Sequence, residues 1–326
     1  MKAIMCTEYG APEALQLLDV PTEEMKPGHL RIEVRAAGVN FQDTLIIKGT
    51  YQFKPDLPFS PGGEVAGVVT EAASDVEGFN VGDHVLAQIG HGGFREEVVA
   101  PVDKVVKYPS QMDFADAAAF LTNFGTSYHA LVDRGNLQAG ETLLVLGASG
   151  GVGLSAIQIG KALGARVIAA ASSEKKLKLC KENGADDLIN YEDGPYKDKV
   201  KELTGGKGAD VIYDAVGGDY FDQALRCINW NGRILVIGFA AGRIPSAPAN
   251  LLLLKGSSLV GVFYGRFKQE EPEASDRNIE TLVDWYVKGS LKPCISRKLP
   301  LSQAVEALNL FVNRQAEGKI ILTLDA

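Results

Sequence analysis

The 326-residue sequence predicts an α/β protein in which a doubly wound parallel sheet follows a β-rich, partly barrel-like unit. Three observations lead there. The first third is rich in glycine and β-branched residues in short alternating runs. From Glu141 onward, strand-like and helix-like segments alternate strictly. A glycine-rich turn joins the first strand of that half to its first helix.

In the first third, Leu30 to Val34 and Glu64 to Val69 read as strands, separated by turns such as Pro61-Gly62-Gly63 and Val81-Gly82-Asp83. Beyond Glu141, Thr142 to Gly147 is a continuous apolar run, and Leu154 to Leu163 has helical spacing. Arg166 to Ala171 is a strand, and Glu174 to Asn183 an amphipathic helix stopped by Gly184. The alternation continues through strand Asp187 to Asn190, helix Lys197 to Leu203, strand Val211 to Asp214, helix Tyr220 to Ile228 and strand Arg233 to Gly238. Ser258 to Tyr264 adds a last strand to this sheet. Strands apolar on both faces need helices on both faces, which is the doubly wound arrangement. A helix Arg277 to Lys288, a strand Ile295 to Leu299, a helix Ser302 to Asn313 and a strand Lys319 to Leu324 close the chain. That final strand is expected to rejoin the N-terminal unit, because alone it would be an unpaired edge.

Composition narrows the function. With 46% hydrophobic and 23% charged residues, the chain is globular rather than disordered. Its 33 basic against 41 acidic residues leave a net charge of −8 without basic blocks, which argues against a nucleic acid or an anionic membrane as partner. The opening MKAIMCTEYG has no apolar signal region, and Cys6, Cys180, Cys227 and Cys294 stand apart with no C-x-x-C pair. Reduced thiols in the cytoplasm are the expectation. His29, His84, His91 and His129 have no metal-ligand spacing, so no metal is expected.

The chemistry-bearing motif is Leu143-Leu144-Val145-Leu146-Gly147-Ala148-Ser149-Gly150-Gly151-Val152-Gly153. Strand, glycine turn and helix start in this order form a dinucleotide fingerprint, with its three glycine positions at Ala148, Gly150 and Gly153. Ser149, Gly150, Gly151 and Val152 then present the phosphate-facing backbone at a helix N-terminus. An NAD enzyme places a carboxylate at the end of the second strand, to hold the ribose 2′-hydroxyl. Here that strand ends in Ala171-Ser172-Ser173, with Lys176 one turn later. Hydroxyls and a lysine suit a 2′-phosphate, so NADPH is the expected cofactor. Ser172 and Ser173 as plain caps of the helix at Glu174 is the blander alternative, and both readings can hold. Tyr191, after the third strand, offers a further phenol or a stacking surface near the adenine.

Together with that turn, Ala37-Gly38-Val39-Asn40-Phe41-Gln42-Asp43, Lys48-Gly49-Thr50-Tyr51, Asp214-Ala215-Val216-Gly217-Gly218 and Gly256-Ser257-Ser258-Leu259 carry a family resemblance. The chain resembles the zinc-free quinone oxidoreductase (zeta-crystallin-like) branch of the medium-chain dehydrogenase/reductase superfamily over essentially its full length. The resemblance implies a Rossmann domain over 123–264 and a GroES-like catalytic domain over 1–122 and 265–326. Zinc alcohol dehydrogenases carry metal ligands at positions matching Asn40, Gly63 and Thr122, none of which is Cys or His. Without a Lewis acid, the implied reaction is hydride transfer from NADPH to an electron-poor acceptor, either a quinone or an activated C=C of an enoyl or acryloyl thioester or enone.

The same resemblance assigns Asn40 and Asp43 to the nicotinamide end and Tyr51 to the substrate cleft, although Tyr51 as a packed turn aromatic is nearly as good a reading. It adds Thr126, Tyr128, Val216, Gly238, Phe239, Ala240, Val262 and Phe263 as cofactor contacts. Arg314 is a candidate for the 2′-phosphate or for a surface salt bridge. A homodimer joined along the strand Ser258 to Tyr264 is implied too. An NADPH-binding structural or sensing protein without turnover is the alternative of a different class.

Overall fold

The structure, a computed structural model, describes residues 1–324. It divides into two compact units, Met1–Thr122 with the chain from Pro293 onward, and Asn123–Lys292.

The first unit opens with a small hairpin of β1 (Lys2–Met5) and β2 (Gln16–Asp19). Then follow β3 (His29–Val39), β4 (Glu64–Ala72), β5 (His84–Gln88), β6 (Glu97–Pro101) and β7 (Val105–Lys107). The second unit supplies β8 (Thr142–Leu146), β9 (Arg166–Ala171), β10 (Asp187–Asn190), β11 (Ala209–Asp214), β12 (Ile228–Val236) and β13 (Ser258–Gly261). The chain returns to the first unit as β14 (Ile295–Pro300) and β15 (Lys319–Thr323).

β3 organises the first unit. Its front half alternates buried Leu30, Ile32 and Val34 with more open residues, whereas Ala36 to Val39 are all buried. That change follows from its partners. The sheet order is β14-β15-β3-β4-β5-β7, with β6 on the front half of β3 and β15 on its back half. The tail therefore rejoins the N-terminal unit, with Ile321 opposite Gly38 in an antiparallel ladder. Ile320 and Leu322 enter the core with Leu30, Ile32, Ile46 and Phe94. Burying each such side chain contributes about 1.5–3 kcal/mol, which fastens the C-terminal strand to the opening residues of the chain.

The second unit is a six-stranded, wholly parallel sheet in the order β10-β9-β8-β11-β12-β13. The chain steps outward from β8 to β10, then restarts on the other side of β8 at β11. Such a reversal opens a crevice beyond the carboxyl ends of the two central strands, where open α/β sheets bind ligands. Leu143 to Leu146 are completely buried, which explains the unbroken apolar run.

Three expectations shift. β12 starts at Ile228 rather than Arg233, because Asn231 adopts φ of 57° within the strand and the exposed Trp230 beside it reads as a turn. β13 stops at Gly261, and a helix begins at Tyr264, whose ring is buried with that of Phe267. The third concerns residues 265–292, expected with the first unit but grouped with the second. Phe267 stacks on His129 with ring centroids 3.9 Å apart, and Asn278 Nδ2 donates to Asp133 at 2.7 Å. Trp285 meets Tyr128 edge-on at 5.7 Å. These contacts hold the helices Tyr264–Glu270 and Pro272–Val287 against the segment that precedes β8.

Candidate active site

In the second unit the glycine turn follows β8. Gly147 makes the sharp bend at φ of 68°, and a Cβ there would lie 3.0 Å from Val216 Cγ2. The bend therefore sits one residue earlier than the expected first position, Ala148. A Cβ at Gly153 would come within 2.6 Å of Gly147 O, so glycine is required for the helix Gly151–Ala162 to pack on the turn. Gly150 is the helix N-cap and contributes no side-chain cap. A Cβ there would meet only Gly147 O, at an ordinary 3.5 Å. The protein itself leaves room for a side chain at Gly150, so a bare backbone there suits close approach from outside. First-turn amides lack intrahelical acceptors, so those at Gly151 and Val152 are directed at the same place.

The supports of this turn lie mostly outside the motif. Ser127 Oγ, between Thr126 and Tyr128, donates to Val152 O at 2.8 Å and lies 2.9 Å from the hydroxyl of buried Tyr213. Asn123 is buried with its amide over Gly151, where a Cβ would lie 2.5 Å from Nδ2. Asp214 Oδ1 accepts from Val216 N at 2.9 Å and Gly217 N at 2.8 Å, shaping the loop after β11, and burial pushes its carboxyl up.

The other expected contacts of this unit cluster on one edge. Gly238 N donates to Asp214 O at 3.3 Å, Ala240 N to Ala215 O at 3.2 Å, and Val262 N to Val236 O at 3.2 Å. Phe239 packs over Gly217, and Phe263 is exposed at the start of its helix. At the end of β9, Lys176 Nζ donates to Ser172 Oγ at 3.1 Å, while Ser173 Oγ accepts from Lys176 N at 3.3 Å. Ser173 is thus a helix cap, and Ser172 and the ammonium form a donor pair beside it. Tyr191 lies at the end of β10 with its ring 4.7 Å from that of Tyr220. Arg314, in a left-handed turn at φ of 58°, belongs to the first unit.

The first unit holds Asn40, Asp43 and Tyr51. Asn40 caps the helix Phe41–Ile47, and Asp43 Oδ2 accepts its backbone N–H at 2.8 Å. Asp43 is buried and also accepts from the Gly62 backbone. Burial outweighs these bonds and the nearby Lys319, and raises its carboxyl to about 7. Tyr51 is half-buried, edge-on to Phe53 at 5.5 Å, and its phenol is pushed up by burial and by the charge of Asp43. It has both an apolar contact and a partly open face, so it remains a packed aromatic and a candidate lining residue at once.

Two residues absent from the sequence-based site complete this assembly. Lys319 Nζ donates to Asn40 Oδ1 at 2.7 Å and to Glu64 Oε2 at 2.8 Å, with both charged side chains almost fully buried. Glu64 Oε1 accepts from Thr122 N at 2.8 Å, and Gln88 Nε2 reaches Thr122 Oγ1 at 3.2 Å. Gly38 makes the space: a Cβ there would strike Ala118 O and sit 2.8 Å from Lys319 Cε. The only sequence signal was Gly38 itself, a glycine in the interior of an apolar strand, which marks close approach of another group.

Comparison with known proteins gives concordant matches. A family described as alcohol dehydrogenase GroES-like domain matches residues 26–110, and one described as zinc-binding dehydrogenase matches 151–280. A quinone oxidoreductase-like protein 2 homolog from Nematostella vectensis is 41% identical over 324 residues, covering 98% of this chain and 88% of its own. The chain belongs to the quinone oxidoreductase branch of the medium-chain dehydrogenase/reductase superfamily. A probable oxidoreductase from Mycobacterium abscessus superposes with a TM-score of 0.90 at 38% identity, covering 99% of both chains. The Escherichia coli quinone oxidoreductase complexed with NADPH gives 0.94 at 29% identity, covering 99% and 100%.

As members of this superfamily, the two units are a GroES-like domain and a Rossmann domain. The zinc in one family's description does not fit the residues present. On the resemblance noted from the sequence, the zinc-ligand positions fall at Asn40, Gly63 and Thr122, and a lysine ammonium is bonded between Asn40 and Glu64. A resident cation in that place repels a second one. No cluster of three His, Cys, Asp or Glu suited to a metal occurs among the described residues.

Proposed function

We propose that this oxidoreductase uses NADPH to reduce quinones. The observation that carries the cofactor choice is the donor set at the end of β9: Ser172, Ser173 and Lys176, with no carboxylate closing the strand. A 2′-phosphate wants such donors and positive charge. The Escherichia coli relative complexed with NADPH supports the same choice. Gly150, Gly151 and Val152 receive the pyrophosphate, and Val216, Gly238 to Ala240, Val262 and Phe263 line the carboxyl edge beyond it. Thr126, Tyr128 and Tyr191 are assigned to the same cofactor, and Arg314 is a further candidate for its 2′-phosphate. When bound, NADPH supplies a hydride from its nicotinamide.

The misfit of zinc directs the choice of acceptor. Polarising an unactivated carbonyl asks for a Lewis acid, whereas a quinone already accepts two electrons readily. Asn40 is placed at the acceptor, Tyr51 lines its site, and Asp43 holds the turn that carries Asn40. Relatives named quinone oxidoreductases support the same acceptor class. We also place the protein in the cytoplasm as a homodimer acting on a small molecule. Its four free cysteines fit a reducing compartment, and its exposed β13 edge suits pairing with a second copy.

NADPH oxidation with 1,2- and 1,4-quinones, beside an enone and a crotonyl thioester, tests the proposal. Saturable turnover of quinones in preference to the others is expected. Preference for the enone or thioester moves the protein to alkene reduction, and tight NADPH binding without any turnover makes it a binding or sensing module.

A further inference from the structure

Lys319 is a charged side chain nearly inaccessible to solvent, more than 250 residues from its partners in sequence, and the chemistry above leaves it without a task. Its bonds determine one thing unambiguously. An ammonium has only hydrogens to offer, so the atom of Asn40 that faces Nζ at 2.7 Å must be the carbonyl Oδ1. The backbone of Gly38 agrees from the other side, since its carbonyl only accepts and takes Asn40 Nδ2 at 3.3 Å. The amide of Asn40 therefore cannot turn over. One hydrogen of Nδ2 is used by Gly38, and the second is left for a group outside the assembly, on a residue that is partly open. Glu64 anchors the ammonium with Oε2 while Oε1 holds Thr122 N, so Lys319 is fixed as well.

Building on the quinone-reductase reading, we propose that Lys319 is a positioning residue that locks the Asn40 amide with its N–H edge toward the acceptor oxygen. On hydride transfer the nicotinamide is oxidised and the acceptor gains two electrons. The hydride forms a bond to one quinone oxygen, or to the β-carbon of an enone, as the conjugated π pairs shift onto the remaining carbonyl oxygen. A proton from water then joins that oxygen to give the hydroquinone, or the α-carbon of the enolate to give the saturated ketone, and hydroxide leaves to solvent. The Asn40 N–H donates to the remaining carbonyl oxygen as its charge grows. A fixed donor of this kind needs no reorganisation at the moment of reaction, and losing one costs on the order of 100-fold in turnover. Lys319 polarises the amide further by drawing on Oδ1. The lysine thus acts through Asn40, and it touches no substrate.

The test uses the full-length protein with tetramethyl-1,4-benzoquinone, whose blocked ring does not add thiols. Lys319→Met alone strands Glu64 as a buried charge, so Lys319→Met/Glu64→Gln is made beside it to keep the site neutral and folded. Both are expected to lower kcat by roughly 10–100-fold with the NADPH KM little changed. In an Asn40→Ala background, the same pair is expected to cost less than about threefold further, because its effect passes through Asn40. An independent readout is the infrared carbonyl stretch of the labelled quinone bound with NADP⁺, expected to move to higher frequency in the pair variant as the hydrogen bond is lost. Wild-type turnover with an unchanged kcat and carbonyl stretch in a folded pair variant overturns the inference alone. Full additivity with Asn40→Ala also overturns it, leaving a structural ion pair. A wild type inert toward quinone and enone alike overturns the functional reading, and the inference with it.

Discussion

Lys176 and Asp43 show how one side chain's surroundings set what it can do. Lys176 lies one turn into a helix with its ammonium 3.1 Å from Ser172 Oγ, so its charge is held over the end of β9 rather than free to sweep through solvent. Replacing it by alanine removes one charge-assisted contact to a 2′-phosphate, a loss of about 1.5–3 kcal/mol, or roughly 10–100-fold in NADPH affinity. NADH, which lacks that phosphate, is expected to bind the variant and the wild type alike; titration of nicotinamide fluorescence reads both, and an equal loss for NADH rejects the assignment. Asp43 works in the opposite sense. Its carboxyl is raised to about 7 because burial outweighs two backbone N–H bonds and the neighbouring ammonium. A carboxyl raised on folding contributes stability below its unfolded value near 3.9, and that contribution is lost as the pH rises toward 7. Asp43→Asn gives up one acceptor but does not titrate there. The advantage of wild type over Asp43→Asn in urea unfolding is therefore expected to be larger at pH 5 than at pH 8, and the same advantage at both pH values would show that Asp43 keeps its charge throughout.

At the scale of elements, legibility in the sequence followed burial. Strands buried on both faces write continuous apolar runs bounded by turn residues, and Arg166–Ala171 is legible to the residue for that reason; the edge strand Asp187–Asn190, with only Ile189 buried, is legible instead from its place in the strand–helix alternation. The end of β13 was misread for the same reason: Val262 and Phe263 are apolar, and nothing local says that Tyr264 and Phe267 bury themselves on a helix instead. Helical periodicity shows that Pro272–Val287 buries a face but not on which partner, which is why the sequence reading keeps residues 265–292 with the first unit while their contacts group them with the second. The cofactor turn was legible because its chemistry is local, confined to one strand, turn and helix. The Asn40 assembly was only half legible. Lys319 opens an apolar strand and reads there as an ordinary edge charge. Only the closure of β15 on β3, with Ile321 against Gly38, brings it to Glu64.

At the scale of the whole molecule, the far edge of the parallel sheet, β13, is where a second chain would add. Among the described residues β13 pairs with one strand only, β12, and on its outer side Gly261 O is taken by Arg134 Nε at 3.2 Å rather than by a further strand. Edges of this kind are usually shortened, charged or covered. This one is short, four residues, but its surroundings are apolar: Leu253 and Leu254 are 78% and 67% exposed on the preceding helix, and Leu259, Phe263 and Trp230 are exposed as well. A group of large apolar side chains around an open edge is costly in water and fits a buried interface. Strand-to-strand pairing with a second copy satisfies the edge of both chains by one two-fold operation, so the contact closes without growing into a filament. Light scattering at micromolar concentration is expected to give twice the 34.8 kDa chain mass. Leu253→Glu/Leu254→Glu places two charges in that contact and is expected to return the mass to one chain, with far-ultraviolet circular dichroism unchanged. A wild-type protein that scatters as a single chain removes the dimer, and a variant that stays dimeric moves the interface away from β13.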